Sequence, residues 1–340
     1  MSAARVKLGI IGCGSATRDC HLPALAKVPD IEVVALCDVD QRALATSLPG
    51  SPVRRLTDWR ALLELPDLDA VAVATPPATH ADIGCAALAT GKFLFLEKPL
   101  AADREGCERL ANAGGPDGGR ALLGLHLRWH RLVQAACALV REGRLGQLRA
   151  IVSVYTHARR GTDGPAWRAR RAEGGGVLLE EGIHHLDLWR HLLDRDIEDL
   201  AVHRADAPGA EDATCTLSAR LSGSVLGSAV LALGTGAACE VEIIGEQAQL
   251  SLSLYRFDGL HLTPSGEIAG GLPSRLRALA AAVLGVPSAL ARPGGDGRAA
   301  YQAMWSHFAA CVRQRARPGC TLDDGRAAMA ALFTALERPR

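Results

Sequence analysis

Glu180, His184 and Asp187 stand four and three residues apart, a spacing that sets all three on one face of a helix, and three polar groups on one face suggest a site. Nearer the N-terminus, Gly12-Cys13-Gly14-Ser15-Ala16-Thr17 follows an apolar run at once and opens a helix. Glycines there permit a tight turn and let backbone N–H groups, Ser15 and Ala16 among them, approach a pyrophosphate. Thr17 stands where the third glycine of that fingerprint belongs. Asp38 closes the second apolar run, where a carboxylate accepts hydrogen bonds from ribose hydroxyls and repels a 2′-phosphate. That favours NAD over NADP, a preference softened by Arg42 one helical turn on. Glu97-Lys98-Pro99 follows a further apolar run, so a lysine projects over the carboxyl edge of a sheet, where stability alone does not call for a cation. Beside a nicotinamide such a lysine stabilises alkoxide charge at the carbon losing hydride, and relays a proton if desolvation lowers its pKa. Glu97 orients it. Thr75-Pro76-Pro77, with His80 in the next helix turn, adds an extended loop at the same edge.

These residues need a sheet with its strand ends together. From Val6 to about residue 125 the apolar runs Lys7–Ile11, Glu32–Leu36, Ala70–Ala74, Phe93–Leu96 and Ala121–Leu125 alternate with helix patterns. The helix patterns lie around His21–Lys27, Gln41–Ser47, Trp59–Leu63, Thr79–Thr90 and Arg104–Asn112, and the alternation predicts a doubly wound parallel sheet. Beyond a helix ending at Gly143, strand-like alternation takes over in Arg149–Tyr155, Thr214–Leu221, Ser224–Leu233, Cys239–Ile244 and Gln249–Leu254. Consecutive strands without helices between them predict an antiparallel sheet, and one long helix, Val177–Leu193, precedes most of it. The fold class is α/β, with a dinucleotide-binding domain over residues 1–124 and an α+β domain over 125–340, whose last helical patterns, Ala299–Arg315 and Asp323–Leu336, can return to the first domain. Gly270–Gly297 reads as an exposed excursion.

Composition limits the partners. The 340 residues include 38 Lys+Arg against 37 Asp+Glu, a formal charge of +1, which argues against a nucleic-acid or anionic-membrane footprint. No apolar run is long enough to span a membrane and no signal-peptide layout precedes Val6, so a cytoplasmic location is expected. The 10 cysteines form no C-x-x-C pair and read as reduced thiols. Glu181, His185 and Asp187 are metal-ligand types, but no H-E-x-x-H spacing accompanies them, and no metal is expected.

The order Gly12-x-Gly14, Asp38, Thr75-Pro76-Pro77 with His80, Gly91-Lys92, Glu97-Lys98-Pro99, and Gly174-Gly175-Gly176 with His184 resembles the glucose–fructose oxidoreductase/inositol dehydrogenase/MocA family. The likeness continues through Leu125–Arg128, Gly143–Gly146, Glu211-Asp212, Gly245 and Asp323-Asp324-Gly325, and so covers nearly the whole chain. It implies a Rossmann domain and a C-terminal domain with a large, open, mostly antiparallel sheet that mediates a homodimer or homotetramer. It also implies NAD(P)-dependent hydride transfer at a secondary alcohol of a sugar or cyclitol, a small polyhydroxylated substrate. In the family a helical Asp and the His four residues later join the EKP lysine; here Glu180 holds the Asp place, one methylene longer. His184 thereby becomes the expected general acid/base, Lys98 orients the substrate oxygen, and Glu180 holds a substrate hydroxyl or tunes His184. Arg128, Trp167, His185 and Asp187 are weaker candidates for substrate contacts, the arginine for a carboxylate or phosphate and the indole for a pyranose face.

The leading expectation is a dehydrogenase or reductase acting on a sugar, amino sugar, sugar nucleotide or cyclitol. Two alternatives remain open at the level of sequence: a lyase or glycosidase that retains NAD with no net redox, and a dinucleotide-binding regulator without chemistry.

Overall fold

The computed structural model describes residues 4–115, 119–267, 271–273, 275–276, 279–280, 282–283 and 295–337. The chain divides into two compact units. The first comprises Met1–His126, Ala172–Gly174 and Tyr301–Met329; the second comprises Leu127–Arg171, Gly175–Ala300 and Ala330–Arg340.

In the first unit, apolar runs become β1 (Val6–Ile11), β2 (Ile31–Cys37), β3 (Arg54–Leu56), β4 (Ala70–Val73), β5 (Phe93–Leu96) and β6 (Ala121–Leu123). All pair in parallel, in the order β3-β2-β1-β4-β5-β6. Every residue of β4, β5 and β6 is buried, as a sheet covered on both faces requires. Strand order reverses between β1 and β4, and the carboxyl ends there form the crevice in which such sheets bind ligands. Asp40, Asp58 and Asp103 start three of the covering helices by accepting the N–H groups of Arg42, Arg60 and Gly106. Phe95 stacks on Trp305 at 4.3 Å, and Phe308 meets Phe93 and Phe95 edge-on at 5.4 and 5.9 Å, so helix Gly295–Val312 contributes to this core.

The second unit holds β7 (Leu148–His157), β8 (Ile197–Ala207), β9 (Ala210–Leu221), β10 (Val225–Leu233), β11 (Ala238–Gly245), β12 (Ala248–Ser253) and β13 (Leu260–Pro264). Their order is β13-β12-β11-β7-β10-β9-β8, antiparallel throughout except for the parallel pair β10–β7. Along β9 burial alternates almost strictly, the mark of a sheet covered on one face. Trp189 of helix Ile183–Leu193 donates its Nε1–H to Ser153 Oγ of β7 at 2.9 Å in the buried layer. Leu226, Val230 and Ile244 are exposed.

The single helix expected over Val177–Leu193 is in two parts, a π-helical turn at Leu178–Gly182 and an α-helix at Ile183–Leu193. Within the expected excursion Gly270–Gly297, residues 270, 274, 277–278, 281 and 284–294 lie outside the described residues, and helix begins at Gly295. Among the described residues no helix is long and apolar enough to cross a membrane.

Candidate active site

In the first unit the loop after β1 is held by its backbone. Gly12 has φ +97°, and a Cβ there would lie 2.4 Å from the Ala74 carbonyl oxygen, so both the conformation and the approach to the end of β4 require glycine. A Cβ on Gly14 would meet nothing within 4 Å, which leaves space for a ligand against the loop. Thr17, in the place of the third glycine, is fully buried and donates its hydroxyl to the Gly12 carbonyl at 2.6 Å, closing the loop from within. No side chain caps the following turn, Ala16–His21, so its amide end is open to an anion. Asp38 Oδ2 accepts the Cys13 N–H at 2.6 Å and Oδ1 accepts the Asp40 N–H at 2.9 Å. The carboxylate therefore ties the ends of β1 and β2 together. Burial pushes the Cys13 and Cys37 thiols up to about 11 and about 12, so they stay protonated.

At the ends of β4 and β5 the chain makes a second fixed edge. Thr79 donates its hydroxyl to the Pro76 carbonyl at 2.8 Å and bonds Thr75 Oγ1 at 2.7 Å. His80 is fully buried, with Nδ1 2.9 Å from the Pro99 carbonyl and Nε2 2.8 Å from the Thr75 carbonyl. Burial lowers its pKa against the pull of these two carbonyls. His80, expected to touch a cofactor, has no exposed surface; it clamps two loops that do line the edge. Lys98 is partly exposed and precedes Pro99 across a cis peptide bond. Its N–H is accepted by Glu97 Oε2 at 2.9 Å, and the buried Glu97 has Oε1 2.9 Å from His21 Nε2. Burial alone would raise the Glu97 carboxyl, but the His21 ring beside it, and then Lys98 and His126, hold it below the usual carboxylate range.

In the second unit, Gly175 admits no side chain: a Cβ would lie 2.4 Å from the carbonyl oxygens of both Trp167 and Arg168. This close passage leads into the π-helical turn carrying Glu180, and one turn on comes His184; both are buried. Such turns recur at functional sites. Glu180 is clamped by two arginines, Arg159 Nη2 at 2.8 Å and Arg168 Nε at 3.0 Å. These two residues escaped the sequence reading because only the folded loop brings them to the helix. The clamp also alters the expectation for Glu180, whose two oxygens are each met by a guanidinium.

Three further expectations are corrected. Arg128, anticipated as a substrate ligand, is buried and bidentate to Asp187, with Nε–Oδ2 at 2.9 Å and Nη2–Oδ1 at 2.5 Å. The charge of Asp187 is thereby spent on Arg128, while Arg190 pairs with Asp196 instead. His185 is 1% exposed, tilted against Tyr155 at 5.7 Å, and neither ring nitrogen has a hydrogen-bond partner among the described residues. Burial lowers its pKa to about 4, so it is neutral and belongs to the core. Trp167 is partly exposed, with the Arg168 guanidinium over its ring at 5.5 Å. Among the described residues no group of three or more His, Cys, Asp or Glu side chains is arranged to hold a metal ion.

Residues 6–119 match the family model for the oxidoreductase family with an NAD-binding Rossmann fold, and residues 133–251 match the GFO/IDH/MocA C-terminal domain. A dTDP-3,4-didehydro-2,6-dideoxy-alpha-D-glucose 3-reductase of Saccharopolyspora spinosa is 31% identical over 68% of this chain and 68% of its own length. The Streptomyces antibioticus protein of the same name is 31% identical over 58% of this chain but only 60% of its own length, and a putative UDP-kanosamine synthase oxidoreductase subunit of Amycolatopsis mediterranei is matched over 52% of its own length. The fold is similar to that of the WlbA dehydrogenase of Chromobacterium violaceum, solved with NADH and UDP-GlcNAcA. That structure has a TM-score of 0.82, 19% identity, and coverage of 99% of this chain and 94% of the other.

Proposed function

The chain belongs to the GFO/IDH/MocA oxidoreductase family, and from that premise we propose that it is an NAD-dependent oxidoreductase acting between a secondary alcohol and the ketone of a sugar, amino sugar, sugar nucleotide or cyclitol. The observation that carries the reading is in the first unit: Gly12 and Gly14, Asp38, Thr75-Pro76 and Lys98 all stand at the carboxyl ends of adjacent parallel strands about the point where strand order reverses. The open space at Gly14, the uncapped turn after it and the fixed carboxylate of Asp38 fit a dinucleotide. Bound there, NAD supplies the hydride acceptor or donor.

The chain's own residues do the rest. Asp38 accepts ribose hydroxyls and disfavours a 2′-phosphate, hence NAD rather than NADP. Lys98 orients the substrate oxygen and offsets its developing charge, and His184 takes or returns the hydroxyl proton. Glu180, held by Arg159 and Arg168, keeps the helix turn bearing His184 in place. The named relatives motivate the class: the Saccharopolyspora protein is a dTDP-3,4-didehydro-2,6-dideoxy-alpha-D-glucose 3-reductase, and the Chromobacterium dehydrogenase was solved in complex with UDP-GlcNAcA. Exposed Leu226, Val230 and Ile244 on the second sheet support assembly as a homodimer or homotetramer through that face.

The test is NADH formation from NAD⁺ at 340 nm over a panel of inositols, UDP-hexoses and dTDP-hexoses. Lys98→Ala and His184→Ala should each lower kcat by roughly a hundredfold or more while NADH binding survives. Purified protein that binds neither NAD⁺ nor NADH would end the proposal.

A further inference from the structure

His21, Trp305, Tyr301 and His126 take no part in the chemistry just described, yet they surround the one carboxylate bonded to the Lys98 backbone. Trp305 Nε1 donates to His21 Nδ1 at 3.2 Å, and His21 Nε2 lies 2.9 Å from Glu97 Oε1. His21 is 2% exposed, and its ring meets Phe95, Tyr301 and Trp305 edge-on at 5.4, 5.4 and 5.6 Å, so it has no freedom to turn over. An indole nitrogen is a donor only. The nitrogen that receives it must therefore be the bare one, and the single proton of a neutral imidazole sits on Nε2, facing Glu97. A second proton on this ring would set an N–H against the indole N–H.

We propose that Trp305 and His21 are positioning residues forming a directional relay, Trp305 to His21 to Glu97, which holds Glu97 as an anion whose charge is left for Lys98 to balance. The relay matters for catalysis only if the reading of Lys98 above is right. Its geometry is independent of that reading. Glu97 Oε2 accepts the Lys98 N–H, while Oε1 lies 2.9 Å from the His21 Nε2, the ring nitrogen that the indole leaves to carry the proton. The other titratable groups that face Glu97 are Lys98, His126, whose ring stacks on Tyr301 at 4.3 Å, His80 and the Cys20 thiol. Such an arrangement favours an ammonium at residue 98, a donor to a substrate oxygen rather than a base.

Two measurements decide it, neither of which needs the substrate. In ¹⁵N-histidine-labelled protein, with the His21 resonances assigned by their loss in His21→Gln, the ring should show the Nε2–H tautomer at neutral pH. An Nδ1–H tautomer or a doubly protonated ring overturns the relay. In competitive acetylation with acetic anhydride read by peptide mass spectrometry, the rate at Lys98 is compared with that at exposed Lys27. Trp305→Phe keeps the aromatic stack but frees Nδ1 to take a proton, and should speed labelling of Lys98 three- to tenfold at neutral pH. The same substitution in a His21→Leu background should change nothing. Equal effects in both backgrounds, or none in either, would reduce Trp305 to a packing residue. Full turnover by Lys98→Ala on the substrate panel would instead refute the catalytic reading and leave the tautomer and labelling results to judge the relay.

Discussion

Asp187→Asn separates two roles for Arg128, substrate ligand and structural ion. The pair makes two charge-assisted hydrogen bonds, at 2.9 and 2.5 Å, between side chains only 7% and 2% exposed. With so little solvent contact, water cannot replace the lost carboxylate, and removing one partner of such a buried pair costs about 3–5 kcal/mol. At about 1.4 kcal/mol per decade, that lowers the folding equilibrium constant by roughly two to three and a half decades. Replacing both partners by apolar residues of similar size, Arg128→Met with Asp187→Leu, removes the two desolvation costs together and should recover most of the loss, to within about 1–2 kcal/mol of the parent. Urea unfolding followed by tryptophan fluorescence reads this, because Trp189 lies in the same helix as Asp187 and is fully buried. A loss under about 1 kcal/mol for Asp187→Asn, or a double variant no better than the single one, would refute the reasoning. Loss of substrate affinity in Arg128→Met at unchanged stability would restore the ligand role expected from sequence.

Asp38→Ala removes an acceptor from the ribose and a negative charge from the 2′ position, so the Kd for NAD⁺ should rise about tenfold or more while that for NADP⁺ falls, measured by titration calorimetry. His185 has a pKa lowered to about 4 from an unfolded value near 6.5, so its neutral, buried form supports the fold fully above pH 6.5 and loses that support as pH falls towards 4. The loss is about 3 kcal/mol over that window, and His185→Phe should flatten the curve of stability against pH; an unchanged slope would place the acid sensitivity elsewhere. Gly175→Ala drives a methyl against two carbonyl oxygens at 2.4 Å and should cost about 1–3 kcal/mol in unfolding experiments and lower kcat by displacing the turn that bears Glu180.

The buried strands were legible because a parallel sheet covered on both faces has to be apolar at every position: Phe93–Leu96 is β5 to the residue, and the other runs differ at their ends by one or two residues. Arg54–Leu56 was not, since three residues of an edge strand with two exposed arginines carry no period. β8 escaped for a related reason: apart from Leu200 it buries almost nothing, so the alternation that marks its neighbours is missing. The parallel pairing of β7 with β10 joins strands far apart in sequence, and no local pattern encodes it. As candidates, spacing singled out the glycines, Asp38, Lys98, Glu180 and His184, whose proposed chemistry is read from type and position along an element. Which charges neutralise each other was beyond it. Arg128 and Asp187 are 59 residues apart, and Trp305 and His21 are 284 apart; long-range pairs of this kind are decided by packing.

The first unit is assembled from distant stretches of chain, and this has a cost during synthesis. Phe93 and Phe95 await Trp305 and Phe308, which leave the ribosome only after residues 127–300 have been made. At roughly 5–20 residues per second, that interval is on the order of ten to thirty seconds. Throughout it, β5 and the His21 ring lack their aromatic cover, and the nascent chain presents an apolar strand to whatever is nearby. Expression yield should therefore depend on chaperone supply during translation more than on the stability of the finished protein.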